Sequence, residues 1–258
     1  MQKKLYIGTN TKMYKTIADT VSYLTELEQL TWYISRENVQ IFVIPSYTAL
    51  YCASQTVSSE MISLGAQNMC WEEEGQYTGE ISPKMLKEVR VEVVELGHSE
   101  RRHVFMETDQ MIHLKTKCAL ANEFTALLCI GETRAQKDLG LAEHTLRKQL
   151  EIALSDIPEE WTDRLWVAYE PVWAIGVNGT PATKEYVAEM HGHIRQTLQE
   201  LYPANGETIP VLYGGSVNNE NAKEFILQNN VDGLFIGRSA WDAKIFNRLI
   251  RDVISIFN

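Results

Sequence analysis

Eight short apolar segments recur along the chain, and each ends in a small or polar residue. They span residues 4–10, 39–46, 61–68, 91–98, 125–132, 165–171, 209–216 and 231–238. Their apolar character is nearly continuous, and this pattern is typical of strands that are buried on both faces of a parallel sheet. We therefore predict eight buried parallel strands.

Amphipathic segments lie between the apolar ones. Residues 16–30 and 184–202 carry apolar side chains at helical spacing, and residues 221–228 form a shorter segment of the same kind. Strands that alternate with helices pair in parallel through right-handed crossovers. Eight such units in 258 residues match the (β/α)8 TIM barrel of the α/β class. We predict one barrel domain over residues 1–258.

An open, doubly wound sheet is the alternative architecture for alternating strands and helices. Such folds often bind a dinucleotide with a glycine-rich turn after the first strand, but no G-x-G-x-x-G pattern follows residues 4–10. The eight units also divide the chain evenly. Both observations favour the closed barrel.

Composition excludes several classes of function. The net charge of −10 argues against binding to nucleic acid or to an anionic membrane. No apolar run approaches the length of a membrane span, and the first residues lack the apolar stretch of a signal peptide. The four cysteines form no CxxC pair and no metal-ligand spacing. We expect a cytoplasmic protein with reduced thiols, no metal and no other cofactor.

Polar residues and glycines follow several predicted strands, at the end where barrel enzymes have their sites. They are Asn10 and Lys12 after the first strand, His98, Ser99 and Glu100 after the fourth, Glu170 after the sixth, Gly214, Gly215 and Ser216 after the seventh, and Gly237 and Arg238 after the eighth. Taken singly, each has an ordinary structural explanation, such as a solvated lysine or a glycine turn. In a barrel, all of them converge on one mouth.

A carboxylate, an imidazole and an ammonium around one cavity are the groups needed to move a proton beside a carbonyl. Glu170 can take a proton from carbon, and His98 and Lys12 can stabilise the oxyanion that forms. Glycines after the seventh and eighth strands, together with a helix N-terminus, form a common phosphate site in such barrels. The residues therefore predict a proton-transfer enzyme for a small phosphorylated carbonyl compound.

Four segments resemble motifs of the triosephosphate isomerase family: ELGHSERRHVF, AYEPVWAIG, VLYGGSV and GAQNMCWEEEGQYTGEIS. The resemblance runs from the first strand to the last. It implies aldose–ketose isomerisation of a small sugar phosphate through an enediolate, without a metal or a nucleotide. The parent reaction interconverts dihydroxyacetone phosphate and glyceraldehyde 3-phosphate in glycolysis and gluconeogenesis.

The resemblance also implies roles for individual residues. Glu170 matches the catalytic base, and His98 matches the neutral electrophile, for which this family is itself the well-known example. Lys12 matches the lysine that faces the negative charge of the substrate, with Asn10 beside it. Glu100 matches an acid in the hydrogen-bond network of that lysine.

Substrate binding and assembly follow from the same resemblance. Segment 171–183 matches a mobile lid that closes over the phosphate. Segment 70–82, with Thr78 at its tip, matches a loop that reaches into a neighbouring subunit, so we expect a homodimer. Arg101 and Arg102 are expected to pair with carboxylates in structural roles. The expected substrate or phosphate contacts are Asn10, Thr11, Lys12, Gly176, Ser216, Gly237 and Arg238.

Three positions in the site depart from the family pattern. Thr11 stands where a tryptophan is usual, the lid contains Pro181 and is one residue longer, and Arg238 replaces a second glycine. These changes alter the walls of the pocket and keep the proton-transfer residues. Similar segments occur in a side branch of the family that interconverts L-erythrulose 1-phosphate and D-erythrulose 4-phosphate. The sequence therefore leaves open whether the substrate is a triose phosphate or an erythrulose phosphate.

Two functions of a different class are also open from the sequence. The barrel could bind a phosphosugar without turnover, or act as a lyase that uses the same phosphate site. The presence of Glu170, His98 and Lys12 together argues against both alternatives.

Overall fold

Eight parallel strands close into a barrel in the computed structural model, which describes residues 4–176 and 179–257. The strands are β1 (Leu5–Asn10), β2 (Val39–Ile44), β3 (Ser63–Ala66), β4 (Val93–Leu96), β5 (Thr125–Ile130), β6 (Leu165–Tyr169), β7 (Val211–Tyr213) and β8 (Gly233–Ile236). Each strand pairs with the next, and β1 pairs with β8, with Thr9 opposite Ile236. This closure confirms the predicted (β/α)8 barrel and excludes the open doubly wound sheet.

Helices follow most of the strands in the described parts of the chain. They are α1 (Ile17–Thr31), α2 (Tyr47–Thr56), α3 (Pro83–Glu88), α4 (Ser99–His103), α5 (Asp109–Ala121), α6 (Arg134–Asp138), α7 (Ala142–Ala153), α8 (Lys184–Leu201), α9 (Ala222–Ile226) and α10 (Ala243–Ile254). The three helices predicted from periodicity correspond to α1, α8 and α9. Among the described residues, no helix has both the length and the apolar character that crossing a membrane requires.

Polar residues explain where several helices begin. The Thr16 hydroxyl accepts a hydrogen bond from the backbone N–H of Asp19, and the Asp19 carboxylate accepts one from the backbone N–H of Thr16. Thr183 caps α8 and Asp242 caps α10 through side-chain oxygens. Each cap satisfies N–H groups that the first helical turn leaves without a partner.

Apolar side chains fill the interior of the barrel. A cluster of strand residues includes Phe42, Trp166 and Phe235, and the rings of Phe42 and Phe235 stack with their centroids 5.7 Å apart. A second, larger cluster joins the outer faces of the strands to the helices. Because the interior is a packed core and not a channel, a binding site can form only at a rim.

Candidate active site

The carboxyl ends of the strands surround a cavity of about 540 Å³. Most residues predicted for the site line it: Asn10, Lys12, His98, Glu100, Glu170, Gly176, Gly214, Gly215, Ser216, Gly237 and Arg238. These residues come from strand ends that are far apart in the chain. Closure of the barrel brings them to one mouth.

His98 is held in a neutral form at the start of α4. Its Nδ1 accepts a hydrogen bond from the backbone N–H of Glu100 at 3.2 Å, so this nitrogen carries no proton. The proton of a neutral imidazole then lies on Nε2, which is 3.7 Å from Oε2 of Glu170. Gly97 has a φ of +74°, and a Cβ there would lie 3.1 Å from the carbonyl oxygen of Cys129. Glycine therefore permits the turn that presents His98.

Glu170 is a buried carboxylate at the end of β6. Its backbone N–H donates to the carbonyl oxygen of Ile130 at 2.8 Å, and Pro171 stiffens the backbone that follows. Its Oε2 is buried and has no hydrogen-bond partner among the described residues. A Cβ on Gly214 would lie 2.8 Å from Cγ of Glu170. The glycine therefore makes room for a carboxylate oxygen that is free to accept a proton.

Lys12 presents its ammonium from a strained backbone. Its φ is +52°, in the left-handed region that residues other than glycine seldom adopt. Its Nζ donates to Oε1 of Glu100 at 2.8 Å. Partial burial opposes ionisation of Glu100, but the hydrogen bond from Lys12, the nearby His98 and the charge of Lys12 together lower the pKa of Glu100. Lys12 and Glu100 therefore form an ion pair at the cavity.

Four groups fix the side chain and backbone of Asn10. Its Oδ1 accepts hydrogen bonds from the backbone N–H of Lys12 at 2.6 Å and from Nε2 of Gln67 at 3.0 Å. Its Nδ2 donates to Oε2 of Glu95 at 2.6 Å. Its carbonyl oxygen accepts from the indole Nε1 of Trp241 at 2.9 Å. The Asn10 amide thereby supports the strained conformation of Lys12.

The sequence pattern did not indicate three residues that contact Asn10, which are Gln67, Glu95 and Trp241. Glu95 gave a detectable signal, because it is an acid within the apolar run VEVVEL and shares the inward face of β4 with Val93. Gln67 follows the end of β3, where its polarity could have been noted. Trp241 lies beyond the eighth strand and gave no such signal.

Gly176, Ser216, Gly237 and Arg238, the residues predicted to bind phosphate, line another part of the cavity. The Ser216 hydroxyl donates to the carbonyl oxygen of Ala174 at 2.6 Å, which ties the loop after β7 to the segment after β6. Arg238 is exposed and begins a short 3-10 helix. Of the predicted lid, residues 177 and 178 lie outside the described residues.

Thr11 lies behind the cavity wall. Its side chain is fully buried, and the cavity is lined by its neighbours Asn10 and Lys12. The backbone N–H of Thr11 donates to the carbonyl oxygen of Ile44 at 3.0 Å. Thr11 therefore lies within the wall, and its expected contact with the substrate stays a prediction.

Glu132 anchors the segment that follows Glu170. This acid is fully buried and accepts hydrogen bonds from the hydroxyls of Tyr169 and Tyr186 and from the indole of Trp173, the last at 2.7 Å. Trp173 lies in the 3-10 helix Val172–Ala174. The network holds the base of the predicted lid.

Arg101 and Arg102 have structural partners. Arg101 donates from Nη2 to Oε1 of Glu107 at 2.6 Å. Arg102 donates to Asp109 and, from Nε, to the carbonyl oxygen of Gly97 at 2.7 Å. These contacts brace α4 and the turn before His98.

Glu95, His98 and Glu170 form the one group in the described residues whose donor atoms are close enough to be considered as a metal site, within 4.8 Å of one another. The ammonium of Lys12 lines the same cavity, and its positive charge disfavours a cation there. The geometry fits proton transfer better than metal binding.

Comparison with known proteins gives concordant matches along the chain. The family model described as triosephosphate isomerase matches residues 5–253. The L-erythrulose-1-phosphate isomerase of Rhizobium etli is 46% identical over 93% of this chain and 89% of its own. The triosephosphate isomerase of Aquifex aeolicus is 41% identical over 95% of this chain and 97% of its own. A crystal structure of triosephosphate isomerase from Bartonella henselae superposes with a TM-score of 0.87 at 31% identity, covering 96% of this chain and 98% of that one.

A methyl group at position 214 is expected to displace Glu170. In Gly214→Ala, the new Cβ would meet Cγ of Glu170 at 2.8 Å, and a carboxylate moved by about 1 Å can lose on the order of 100-fold in rate. We expect a fall of about tenfold or more in kcat with a small change in KM, measured by steady-state kinetics.

Gly192→Ala is the matched control for this substitution. Gly192 lies within α8, and a Cβ there would meet no atom within 4 Å. This variant should keep full activity and gain a little helix stability. Equal activities of the two variants would contradict the packing of Gly214 against Glu170.

Proposed function

Because the chain belongs to the triosephosphate isomerase family, we propose that it isomerises a small sugar phosphate by proton transfer through an enediolate. The family match and the named relatives make it an isomerase. The observation that carries the proposal is the arrangement of His98, Glu170 and Lys12 around one cavity. They supply a neutral imidazole, a carboxylate oxygen with no hydrogen-bond partner in the described part of the chain, and an ammonium.

In the proposed mechanism, Glu170 removes the proton from the carbon next to the carbonyl. His98 donates a hydrogen bond from Nε2 to the carbonyl oxygen, and the ammonium of Lys12 stabilises the negative charge of the enediolate. Glu170 then returns the proton to the neighbouring carbon, while the hydroxyl proton moves between the two oxygens. The substrate therefore neither gains nor loses atoms or electrons.

The phosphate is proposed to bind at Gly176, Ser216, Gly237 and Arg238. Glycines allow the backbone to approach an anion closely, and the Arg238 guanidinium adds a positive charge in a protein of net charge −10. Segment 171–183 would cover the bound phosphate and exclude water, which limits loss of phosphate from the enediolate.

L-erythrulose 1-phosphate is the substrate that we propose. The L-erythrulose-1-phosphate isomerase of Rhizobium etli is 46% identical to this chain, and the triosephosphate isomerase of Aquifex aeolicus is 41% identical. Moving the carbonyl from the second to the third carbon of this ketose gives D-erythrulose 4-phosphate. The substrate carries one hydroxymethyl group more than a triose phosphate, on the carbon that loses the proton. The small Thr11 side chain in the wall and Arg238 at the mouth fit an altered pocket.

Dihydroxyacetone phosphate is the second candidate substrate. Its isomerisation needs the same base, electrophile and cation, and these groups do not depend on the length of the carbon chain. The Aquifex aeolicus relative of 41% identity also supports it.

A comparison of kcat/KM on the two substrates tests the choice. We expect a preference of about tenfold or more for L-erythrulose 1-phosphate, because one accommodated carbon with its hydroxyl contributes on the order of 1–3 kcal/mol. A preference of similar size for dihydroxyacetone phosphate would instead assign the parent reaction of the family.

Shortening the proposed base tests the reaction class. Glu170→Asp withdraws the carboxylate by one methylene, so we expect a loss of about 100-fold in kcat with nearly unchanged affinity for 2-phosphoglycolate, an enediolate mimic. Glu220→Asp makes the same change at an exposed loop position and should be fully active. Full turnover in Glu170→Asp would contradict its role as the base, and a wild-type protein that binds the mimic without turnover would be a phosphosugar-binding barrel.

A homodimer is proposed through segment 70–82, with Thr78 at the tip. Residues 72–80 are exposed throughout. Met13, next to Lys12, is 94% exposed, and Phe105, after α4, is 61% exposed. Large apolar side chains on the surface are typical of subunit contacts.

Sedimentation should give twice the chain mass of 29.5 kDa. Thr78→Arg should favour the monomer, since a buried unpaired charge at a contact is costly. A monomeric wild-type protein at micromolar concentration would contradict this assembly.

The compartment is proposed to be the cytoplasm. Cys52, Cys70, Cys118 and Cys129 are free thiols in the structure. Free thiols are typical of proteins from reducing compartments.

A further inference from the structure

Glu95 is a buried acid inside the barrel that the proposed mechanism does not use. It lies on β4 and is 1% exposed. Acids are rarely buried so completely unless they are paired. Its contacts are the Asn10 amide, which donates to Oε2 at 2.6 Å, and the thiol of Cys129, 3.8 Å from Oε1.

We propose that Glu95 is a positioning residue of the active site, which holds the Asn10 amide and, through it, the strained backbone of Lys12. This inference rests on the proposed isomerase activity. Glu95 itself does not line the cavity, whereas Asn10 and Lys12 do. Its effect on the substrate therefore passes through these two residues.

The chain of contacts is short and directional. Because Glu95 can accept the Asn10 Nδ2–H, it sets which end of that amide faces β4. The opposite end, Oδ1, then accepts the backbone N–H of Lys12 at 2.6 Å. A residue other than glycine keeps a φ of +52° only when its surroundings determine it. Loss of the Glu95 carboxyl would leave the amide held only at Oδ1, by Lys12 and Gln67, and would leave Lys12 less well held.

The surroundings of Glu95 favour the uncharged form of its carboxyl. Burial and the neighbouring charge of Glu170 raise its pKa well above its usual value of 4.5, and Lys12 opposes this only in part. Glu100, from α4, acts in the same direction as Glu170, and burial also keeps the Cys129 thiol protonated by raising its pKa. A neutral carboxyl can accept the Asn10 hydrogen bond without adding a further negative charge to the site.

Ionisation of Glu95 would oppose catalysis. A Glu95 oxygen lies within 4.8 Å of both a carboxylate oxygen of Glu170 and a ring nitrogen of His98. A negative charge there would repel the enediolate that His98 and Lys12 stabilise. Activity should therefore fall as the pH rises through the raised pKa of Glu95.

Two substitutions in the full chain separate positioning from structure. Glu95→Leu removes the acceptor, places an apolar side chain in an apolar interior and leaves the Asn10 Nδ2–H without this partner. We expect kcat/KM to fall about tenfold or more, beyond any loss of folded protein that the melting temperature reports. Glu95→Gln keeps an acceptor for Asn10 and resembles the neutral acid, so it should restore kcat/KM to within about threefold of wild type.

The pH dependence is a second measurement on the same variants. Wild-type kcat/KM should decline as the pH rises through the raised pKa of Glu95, and Glu95→Gln should lack this part of the decline, while any decline from deprotonation of Lys12 remains in both proteins. The stability of the fold should also decrease as the pH rises. An acid whose pKa is raised in the folded state stabilises the fold most below its unfolded pKa, and this contribution is lost as the pH rises through the folded pKa. The melting temperature of Glu95→Gln should therefore fall less between acidic and alkaline solution than that of wild type.

Glu92 provides the matched control. It is a half-buried acid just before β4, at the opposite rim, and burial raises its pKa as well. It accepts a hydrogen bond from Ser63. Glu92→Leu and Glu92→Gln should leave kcat/KM and its alkaline decline unchanged.

Three results would overturn the inference: wild-type kcat/KM in Glu95→Leu, a loss that only follows the folded fraction, or no recovery in Glu95→Gln. Affinity for 2-phosphoglycolate, measured by calorimetry, tests Glu95 without turnover. Glu95→Leu should weaken it about tenfold and Glu95→Gln should not, whereas equal affinities would contradict the inference. A wild-type protein that turns over neither substrate but shows this affinity pattern would reject the proposed function and keep the role of Glu95.

Discussion

Pairing of the first strand with the last is the constraint on which the site depends. Thr9 lies opposite Ile236 across this seam, so the loops after β1 and β8 leave the barrel side by side. The indole of Trp241 can then donate to the carbonyl oxygen of Asn10, across 231 residues of sequence. Without closure, Asn10 and Lys12 would have no fixed relation to the other strand ends.

The second constraint is electrostatic. The chain carries a net charge of −10, yet its proposed substrate is an anion and its proposed intermediate is more negative still. Lys12 supplies a positive charge at the site, and His98, whose Nδ1 already accepts the Glu100 N–H, can donate a hydrogen bond from Nε2. In the same small volume, burial and the charge of Glu170 raise the pKa of Glu95 and favour its uncharged form, which limits the negative charge beside the reacting carbon.

The pattern of apolar and polar residues predicted the architecture, because buried parallel strands are apolar almost throughout, whereas amphipathic helices carry apolar residues at helical spacing. Each of the eight apolar segments contains an observed strand. Strand ends then indicated His98, Glu170 and Lys12, since the topology of a barrel fixes which ends meet. The pattern could not indicate the side chains that orient these groups. Gln67 and Trp241 act through hydrogen bonds to Asn10 that depend on loop conformation, and neither loop follows from periodicity.

The surroundings of Thr11 also lie beyond what the sequence pattern indicates. Its neighbours Asn10 and Lys12 line the cavity, whereas the Thr11 side chain is fully buried. The family resemblance gave Thr11 as a substrate contact, and this contact stays a prediction. Glu95 could have been noticed as an acid on an inward-facing strand position, whereas its partner could not have been named without the barrel.

Proton transfer at Glu170 is the central claim, and isotope incorporation tests it most directly. The reaction of L-erythrulose 1-phosphate would be run in D2O and the carbon-bound hydrogens followed by proton NMR. A base that exchanges its proton with solvent at the enediolate stage predicts deuterium at the carbon that receives the proton, and slower incorporation in Glu170→Asp. Deuterium incorporation in Glu170→Asp as fast as in wild type would mean that another group removes the proton and would contradict the account.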